Sequence, residues 1–326
     1  MSNSRPLHHD NWGTLVEYME ANRRSTLNHQ LSHLLEYTRS IPLKIQEFHL
    51  KCHEFTINDH RYLFRMDPLH PNTTFDFKTV AMWIMGPTAR SVRYRNGYTV
   101  PETMEHMLKQ LTGGIREIRT MKFAVFTQPT VMPKWLKMKV RVLYINCEYK
   151  DFNESAGHVV SNDPEKEPLE KLGFQVFEDK DPVFGFPLIR TAKSLHITCY
   201  YVGMSTVLFL NSLRNLRIQM NLFSYQMSNF QFMMIIENWI ENYRTPGASL
   251  AITKFLSPGL INLIKNRYPT KEGKMEEWHN EEKYMRPCIC IKTDYFSKLI
   301  IWAYKHTADF RRRKMIGLKV VEFVGK

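Results

Sequence analysis

The sequence predicts an α/β protein in which an N-terminal helical hairpin is followed by an irregular leucine-rich-repeat-like array of strands and helices. Three observations favour this class. Apolar residues have helical spacing over residues 12–42, a strand pair follows, and short strand cores alternate with helical segments from residue 101 onward. Hydrophobic residues make up 43% of the 326 positions, which is enough to build a substantial core.

Two N-terminal helices are predicted on either side of the charged break Asn22-Arg23-Arg24. The first has an apolar face at the spacing i, i+3, i+4, i+7, formed by Trp12, Leu15, Val16 and Met19. The second carries the apolar residues Leu27, Leu31, Leu34 and Leu35. Pro42 should end it, because the residue before a proline is disfavoured in the helical conformation.

A strand pair is predicted next. Residues 43–50 alternate apolar and polar side chains, and residues 55–64 are typical of a hairpin whose turn is Asn58-Asp59. The pattern is weak over residues 67–101, where we expect loops around one short strand at 79–85.

The predicted array rests on six short strand cores, at 121–123, 142–144, 174–176, 195–197, 216–218 and 250–252. Successive cores begin 21 to 34 residues apart. This spacing is typical of solenoids, in which stacked units share a continuous core. The alternative is an ordinary α/β sheet in which the spacing is coincidental.

The C-terminal part contains the clearest helix signal. Ser228 and Gln231 form a capping box for a helix that we expect to extend to Tyr243. Ser257-Pro258 should begin another helix, with proline in its first turn. We expect a charged loop at 270–284, and then strands at 289–291, 300–302 and 318–324.

Composition restricts the environment of the protein. No apolar run approaches the roughly 20 residues of a membrane-spanning helix, and the first residues lack the pattern of a secretory signal. The five cysteines are few and scattered, which favours a reducing compartment. We therefore expect an intracellular protein, cytoplasmic or nuclear, that does not bind membranes.

The net charge of +13 is spread along the whole chain. The one dense basic run is Arg311, Arg312, Arg313 and Lys314. Such a run can serve as a nuclear import signal or a phosphate contact, or it can be a solvated face at the end of a helix, which we favour.

No catalytic or cofactor motif is present: the sequence has no P-loop, G-x-G-x-x-G, G-x-S-x-G or H-E-x-x-H. Cys288 and Cys290 should lie on one side of a strand as buried thiols, and zinc ligation with His279 or His306 is the alternative. His196 should point away from the buried face of its strand. We therefore expect a non-enzymatic protein without cofactor or metal.

One long segment adds a resemblance to these patterns. Residues 11–45, NWGTLVEYMEANRRSTLNHQLSHLLEYTRSIPLKI, are similar to the opening of the nematode F-box C family, whose members share a domain of unknown function. Further segments resemble that family in the same order, at 55–64, 107–123, 167–177, 191–197 and 235–252. The N-terminal block and the Asn-Trp-Ile helix are the specific parts of the resemblance.

The resemblance implies a protein-interaction module that acts as a substrate receptor of a cullin-type ubiquitin ligase. It divides the chain into a degenerate F-box-like helical segment at 7–42 and an F-box-associated α/β repeat-like domain at 43–326. The segment would bind the adaptor subunit of the ligase through Leu15, Val16, Met19, Leu27 and Leu31. The domain would bind an unidentified protein target. The alternative is a basic nucleic-acid-binding protein. We favour it less than the interaction module, because the positive charge is spread along the whole chain.

Overall fold

The computed structural model describes residues 16, 19, 21–31, 35–66, 79–112, 117–223, 227–242, 244–253, 258–279, 282–293, 297–305 and 314–322. Its chain divides into two compact units, residues 1–169 and 170–326. Each unit contains a mixed β-sheet with α-helices.

The elements of the first unit are α1 (Ala21–Gln30), α2 (Leu35–Ser40), β1 (Leu43–Lys51), β2 (Glu54–Ile57), β3 (His60–Met66), β4 (Thr79–Met85), β5 (Arg90–Asn96), α3 (Val100–Thr112), β6 (Ile118–Phe126), β7 (Met138–Asn146), α4 (Tyr149–Ser155) and a 3₁₀ turn (Gly157–Val159). The order of its strands is β7-β6-β1-β2-β3-β4-β5. Strand β6 runs parallel to β1 and β7, whereas β1 to β5 pair antiparallel.

The elements of the second unit are β8 (Lys171–Val176), a 3₁₀ turn (Pro182–Gly185), α5 (Pro187–Thr191), β9 (Ser194–Cys199), α6 (Met204–Ser212), β10 (Arg217–Leu222), α7 (Asn229–Glu241), β11 (Ser249–Ile252), α8 (Pro258–Arg267), β12 (Thr270–His279), β13 (Glu282–Lys292), β14 (Ser297–Lys305) and β15 (Lys314–Glu322). The strand order is β12-β13-β14-β15-β11-β10-β9-β8. Strands β8 to β11 are parallel, and β15 adds antiparallel to β11.

The predicted fold class is therefore wrong. Five of the six predicted cores lie within strands, β6 to β9 and β11, whereas the core at 216–218 begins one residue before β10 and its Leu216 is exposed. Antiparallel strands extend the sheet of each unit, so the architecture is a mixed α/β sheet rather than a helical hairpin followed by a leucine-rich-repeat-like array. The reason is physical: an apolar-x-apolar pattern shows that a strand is buried on one face, but it does not show which strand lies beside it.

The N-terminal helices are part of the first unit. Helix α1 contacts both α3 and β1, and it runs through the predicted break at Asn22-Arg23-Arg24. The guanidinium of Arg24 is buried, and it donates hydrogen bonds to the carbonyl oxygens of Thr38, Ile41 and Pro42. One arginine thereby fastens α1 to the end of α2, where carbonyl groups lack partners within the helix.

A cluster of aromatic rings forms the centre of the first unit. Phe55 lies 4.8 Å from the ring of Tyr62, 5.5 Å from Phe64 and 6.1 Å from Phe48, measured between ring centroids. Phe48 in turn stacks on Phe123 of the neighbouring parallel strand at 5.4 Å. The cluster therefore joins the antiparallel hairpin to the parallel part of the sheet.

Several local predictions are confirmed. Asn58 adopts a positive φ of 52° in the turn between β2 and β3, a conformation that asparagine tolerates better than most residues. Ser228 and Gln231 form the reciprocal capping box at the start of α7. The predicted loop at 270–284 is wrong, because β12 and the start of β13 occupy it as a hairpin.

Candidate functional site

The parallel strands of the second unit expose one face. Leu195, Ile197 and Cys199 of β9 are buried, whereas the alternate residues His196 and Thr198 are only half-buried. Helix α6 packs on the buried side, since the ring of its Phe209 lies edge-on to Phe174 of β8 at 6.4 Å. The opposite face of β8, β9 and β10 therefore offers side chains to solvent.

Three aromatic rings stand in a row at the carboxyl end of this face. Phe177, Tyr200 and Phe223 each follow directly after a strand, β8, β9 and β10. The rings of Phe177 and Tyr200 are stacked at 4.9 Å with an interplanar angle of 3°, and Tyr200 lies 5.0 Å from Phe223. We call these three residues the aromatic ladder.

The backbone fixes the ladder because the parallel register continues past the strand ends. The N–H of Tyr200 donates to the carbonyl oxygen of Val176 at 2.8 Å, and the N–H of Phe223 donates to Cys199 at 2.8 Å. Adjacent parallel strands lie about 4.8 Å apart, so residues in register stack their rings at the observed distances. The ladder is therefore a preformed surface.

The ladder is also exposed. Phe223 is 53% accessible and Phe177 is 36% accessible. Large aromatic side chains that face solvent in a contiguous row are typical of interaction sites, whereas scattered single residues are not. Carboxyl ends of parallel strands are, in addition, the usual place for binding in α/β sheets.

The loop after β8 is anchored by Asp181, whose side chain is buried. Its carboxylate accepts hydrogen bonds from the N–H groups of Phe177 at 2.9 Å and Val183 at 3.0 Å. One acidic side chain therefore caps the 3₁₀ turn and fixes the backbone of the first ladder residue. This charge, after burial itself, is also a cause of the raised pKa of the Cys199 thiol.

A second aspartate connects the same loop to helix α6. Asp179 accepts a hydrogen bond from the N–H of Thr206 at 3.2 Å, in the first turn of the helix. This contact requires glycine at position 203, because a Cβ there would lie 2.8 Å from the Cβ of Asp179 and overlap its carboxylate. Gly203 thus allows the loop to approach the helix closely.

We expect Gly203→Ala to destabilise the second unit by about 1–3 kcal/mol, the usual cost of overpacking. The added methyl group displaces Asp179 and so disturbs the loop that begins at Phe177. The measurement is denaturant unfolding of the full chain. The double variant Gly203→Ala/Asp179→Gly removes every side-chain atom that would overlap the new methyl group and should recover part of the loss. Equal destabilisation of the single and double variants would contradict the contact.

Polar groups lie behind the ladder on the same face. The Nδ2 of Asn221 lies 2.8 Å from the Nε2 of His196, and it donates to that nitrogen in the tautomer whose proton is on Nδ1. His196 does point away from the buried face, as predicted. It therefore contributes a polar group to the open face on which the aromatic ladder lies.

The five predicted adaptor-contacting residues are placed only in part. Val16 is buried, at 1% accessibility, and Met19, Leu27 and Leu31 are half-buried. Leu15 lies outside the described residues. Of the basic run, Arg311, Arg312 and Arg313 also lie outside them, and Lys314 begins β15.

The cysteine pair is a close contact within β13. The Sγ atoms of Cys288 and Cys290 are 3.8 Å apart, and burial, followed by the neighbouring thiol, raises the pKa of Cys288 to about 11. Within the described ranges no group of three histidine, cysteine or acidic side chains could hold a metal ion, and His306 lies outside them. All five cysteines are outside disulfides.

A second apolar surface lies between α7 and α8 of the same unit. It is a groove of about 520 Å³ lined by Phe230, Met233, Met234, Glu237, Leu263, Asn266 and Arg267. Phe230 is 68% accessible on its rim, and an ion pair of 2.9 Å joins Arg267 to Glu237. This groove is the competing candidate for partner binding.

Sequence patterns alone did not predict the ladder. A signal was present, because Phe177, Tyr200 and Phe223 recur at intervals of 23 residues, and they follow three predicted strand cores by one, three and five residues. The aromatic residues lie outside the apolar-x-apolar pattern that defines the strand cores. A search for that pattern therefore does not detect the regular spacing of the aromatic residues.

No helix in the described part of the chain is both long and apolar enough to cross a bilayer. No curated protein and no solved structure matches the chain. Residues 99–253, which include the whole aromatic ladder, match the family model of a domain of unknown function, DUF3557.

Proposed function

We propose that this protein is a non-enzymatic interaction module that binds a protein target on the open face of β8, β9 and β10. The aromatic ladder is the observation that carries this proposal. Phe177 and Phe223 are exposed, Phe177 is stacked on Tyr200, and backbone hydrogen bonds hold the three residues in register, so a partner can bury the rings with little ordering of the chain. Aromatic residues with this preorganisation are the usual energetic centre of protein interfaces.

We further propose that the module acts as a substrate receptor of a cullin-type ubiquitin ligase. The support is the resemblance of residues 11–45 to the F-box C family. The aromatic ladder supplies the surface on which such a receptor would bind its target. In this arrangement Met19, Leu27 and Leu31 supply the accessible part of the adaptor contact, because Val16 is buried.

Target binding is tested by replacing the ladder. Affinity-tagged full-length protein and the variant Phe177→Ala/Tyr200→Ala/Phe223→Ala are expressed in cells of the source organism, and co-purified proteins are quantified. Phe230→Ala is the matched aromatic control from the competing groove. We expect the ladder variant to lose at least one partner about tenfold while Phe230→Ala retains it. Loss with Phe230→Ala and retention with the ladder variant would place binding in the groove.

Adaptor binding is tested by calorimetric titration of the full chain with the cullin-ligase adaptor subunit. Leu27→Asp/Leu31→Asp should abolish binding, and Leu208→Asp, on an exposed position of α6, should leave it unchanged. The circular dichroism spectrum of each variant shows whether it is folded. A folded wild-type chain that does not bind the adaptor contradicts the ligase role without affecting target binding.

Nucleic-acid binding is the second candidate function. It is supported by the net charge of +13 and by a group of arginines on β5, Arg90, Arg93 and Arg95. Steep salt dependence of binding to RNA is its signature, and titration of the full chain with a uridine RNA at about 50 mM and about 200 mM salt measures it.

A further inference from the structure

Strand β5 is the edge of the sheet in the first unit, where it pairs with β4 alone among the described strands. All of its residues except Arg95 are exposed. An edge strand presents outward-facing N–H and C=O groups from alternate residues, and these can pair with a further strand. The strand is seven residues long and contains neither proline nor glycine, so its edge is continuous.

The charge of this edge has one sign. Arg90, Arg93 and Arg95 lie on β5, and the stretch from Thr79 to Val100 contains no acidic residue. Within the described part of the chain, Arg90 and Arg93 take part in no ion pair. The nearby His106 experiences this field, because burial and then the positive charges of Arg95 and Lys109 lower its pKa.

The arginines are distributed over both sides of the strand. Arg90 has the same orientation as Val92 and Tyr94, whereas Arg93 and Arg95 point to the opposite face. Arg95 also packs over the ring of Tyr98 at 5.6 Å. A strand added beside β5 would therefore meet positive charge on each of its own two faces.

The arrangement of arginines on β5 favours some binding partners at this edge over others. A second copy of β5 would place arginines opposite arginines, which is unfavourable, whereas an acidic strand would place carboxylates opposite them. Val92 and Tyr94, at 42% and 56% accessibility, offer apolar contact between the charges. A nucleic acid would satisfy the charge but would leave the strand edge unpaired.

We infer that β5 binds an extended acidic peptide segment of a partner protein, which joins the sheet of the first unit as an additional strand. The segment carries acidic side chains on both of its faces, with β-branched or aromatic residues between them. This site is separate from the aromatic ladder and does not depend on the proposed function of that surface.

The test is fluorescence anisotropy of the full-length protein with labelled ten-residue probes. One probe repeats the unit glutamate-glutamate-valine-valine, which places glutamate on both faces of a strand. The second replaces each glutamate by lysine, and the third is the glutamate peptide with alternate backbone nitrogens methylated. We expect the glutamate peptide to bind at least tenfold more tightly than either control. The methylated probe keeps every charge and loses only strand pairing, so equal binding of it would overturn the inference.

The protein variants locate the site. Arg90→Glu/Arg93→Glu should weaken binding of the glutamate peptide at least tenfold, and Arg190→Glu/Lys193→Glu, which makes the same change in net charge at exposed positions of the second unit, should not. A ten-nucleotide uridine RNA is titrated in parallel. Tighter binding of the RNA, with loss in the β5 variant, would overturn the inference in favour of a nucleic-acid site.

Discussion

Phe55→Ala is expected to destabilise the protein by about 3–5 kcal/mol, the usual cost of removing a buried phenyl ring. Phe55 has no solvent-accessible surface, and three rings of the central cluster, those of Phe48, Tyr62 and Phe64, lie around it. Its removal leaves a cavity that the rigid sheet cannot close. The measurement is the shift of the denaturant midpoint of the full chain at constant slope.

Val131→Ala is the matched control, because this side chain is 66% accessible. A change at such a surface position should remain within about 0.5 kcal/mol. A loss at Phe55 no larger than at Val131 would show that the aromatic cluster is not the centre of the first unit.

Arg24→Met should destabilise the chain by about 3 kcal/mol, since each acceptor left unpaired in the interior costs about 1–3 kcal/mol. The variant preserves most of the length of the side chain but removes the donors to Thr38, Ile41 and Pro42. The neighbouring Arg23 is exposed and makes a matched control. Arg23→Met should leave the free energy of unfolding nearly unchanged.

Arg24→Lys distinguishes charge from geometry. A lysine ammonium is a single point donor and cannot reproduce the planar fork of the guanidinium. We therefore expect a loss between those of the methionine variant and the wild type. If both Arg24 variants unfold at the wild-type midpoint, the N-terminal helices do not depend on this contact, and their attachment to the first unit is weaker than described.

Local signals in the sequence predicted much of the secondary structure. The asparagine-aspartate turn at Asn58, the capping box at Ser228 and five of the six strand cores are each determined by neighbouring residues, and each is confirmed. The sixth core, at 216–218, begins one residue before its strand. These features depend on backbone preference or on burial of one face, which a single sequence displays.

The sheet edges were missed for the opposite reason. Strand β5, RSVRYRN, is exposed along nearly its whole length, and β12, TKEGKMEEWH, is strongly charged, so neither displays apolar alternation. Their strand conformation comes from pairing with β4 and β13, which is a tertiary effect. The role of Arg24 was missed for the same tertiary reason. In the sequence the pair Arg23-Arg24 indicates a break between helices, because the carbonyl groups that accept hydrogen bonds from Arg24 lie further along the chain.

The candidate site was predictable only in part. His196 was expected to face away from the core and does, whereas the ladder depends on three residues that meet only when β8, β9 and β10 are in register. Strand register is a property of the folded sheet. The five adaptor-contacting residues rest on family resemblance, and their role remains a prediction.

The central claim, that the aromatic ladder is the target-binding surface, is tested most directly by site-specific photo-crosslinking. Benzoylphenylalanine replaces Phe223 in one full-length protein and Phe230 in another, each is irradiated in cells of the source organism, and the adducts are identified by mass spectrometry. We predict a discrete protein adduct from position 223 that Phe177→Ala/Tyr200→Ala abolishes. Adducts from position 230 alone, or an adduct at 223 that survives loss of the other two rings, would contradict the claim.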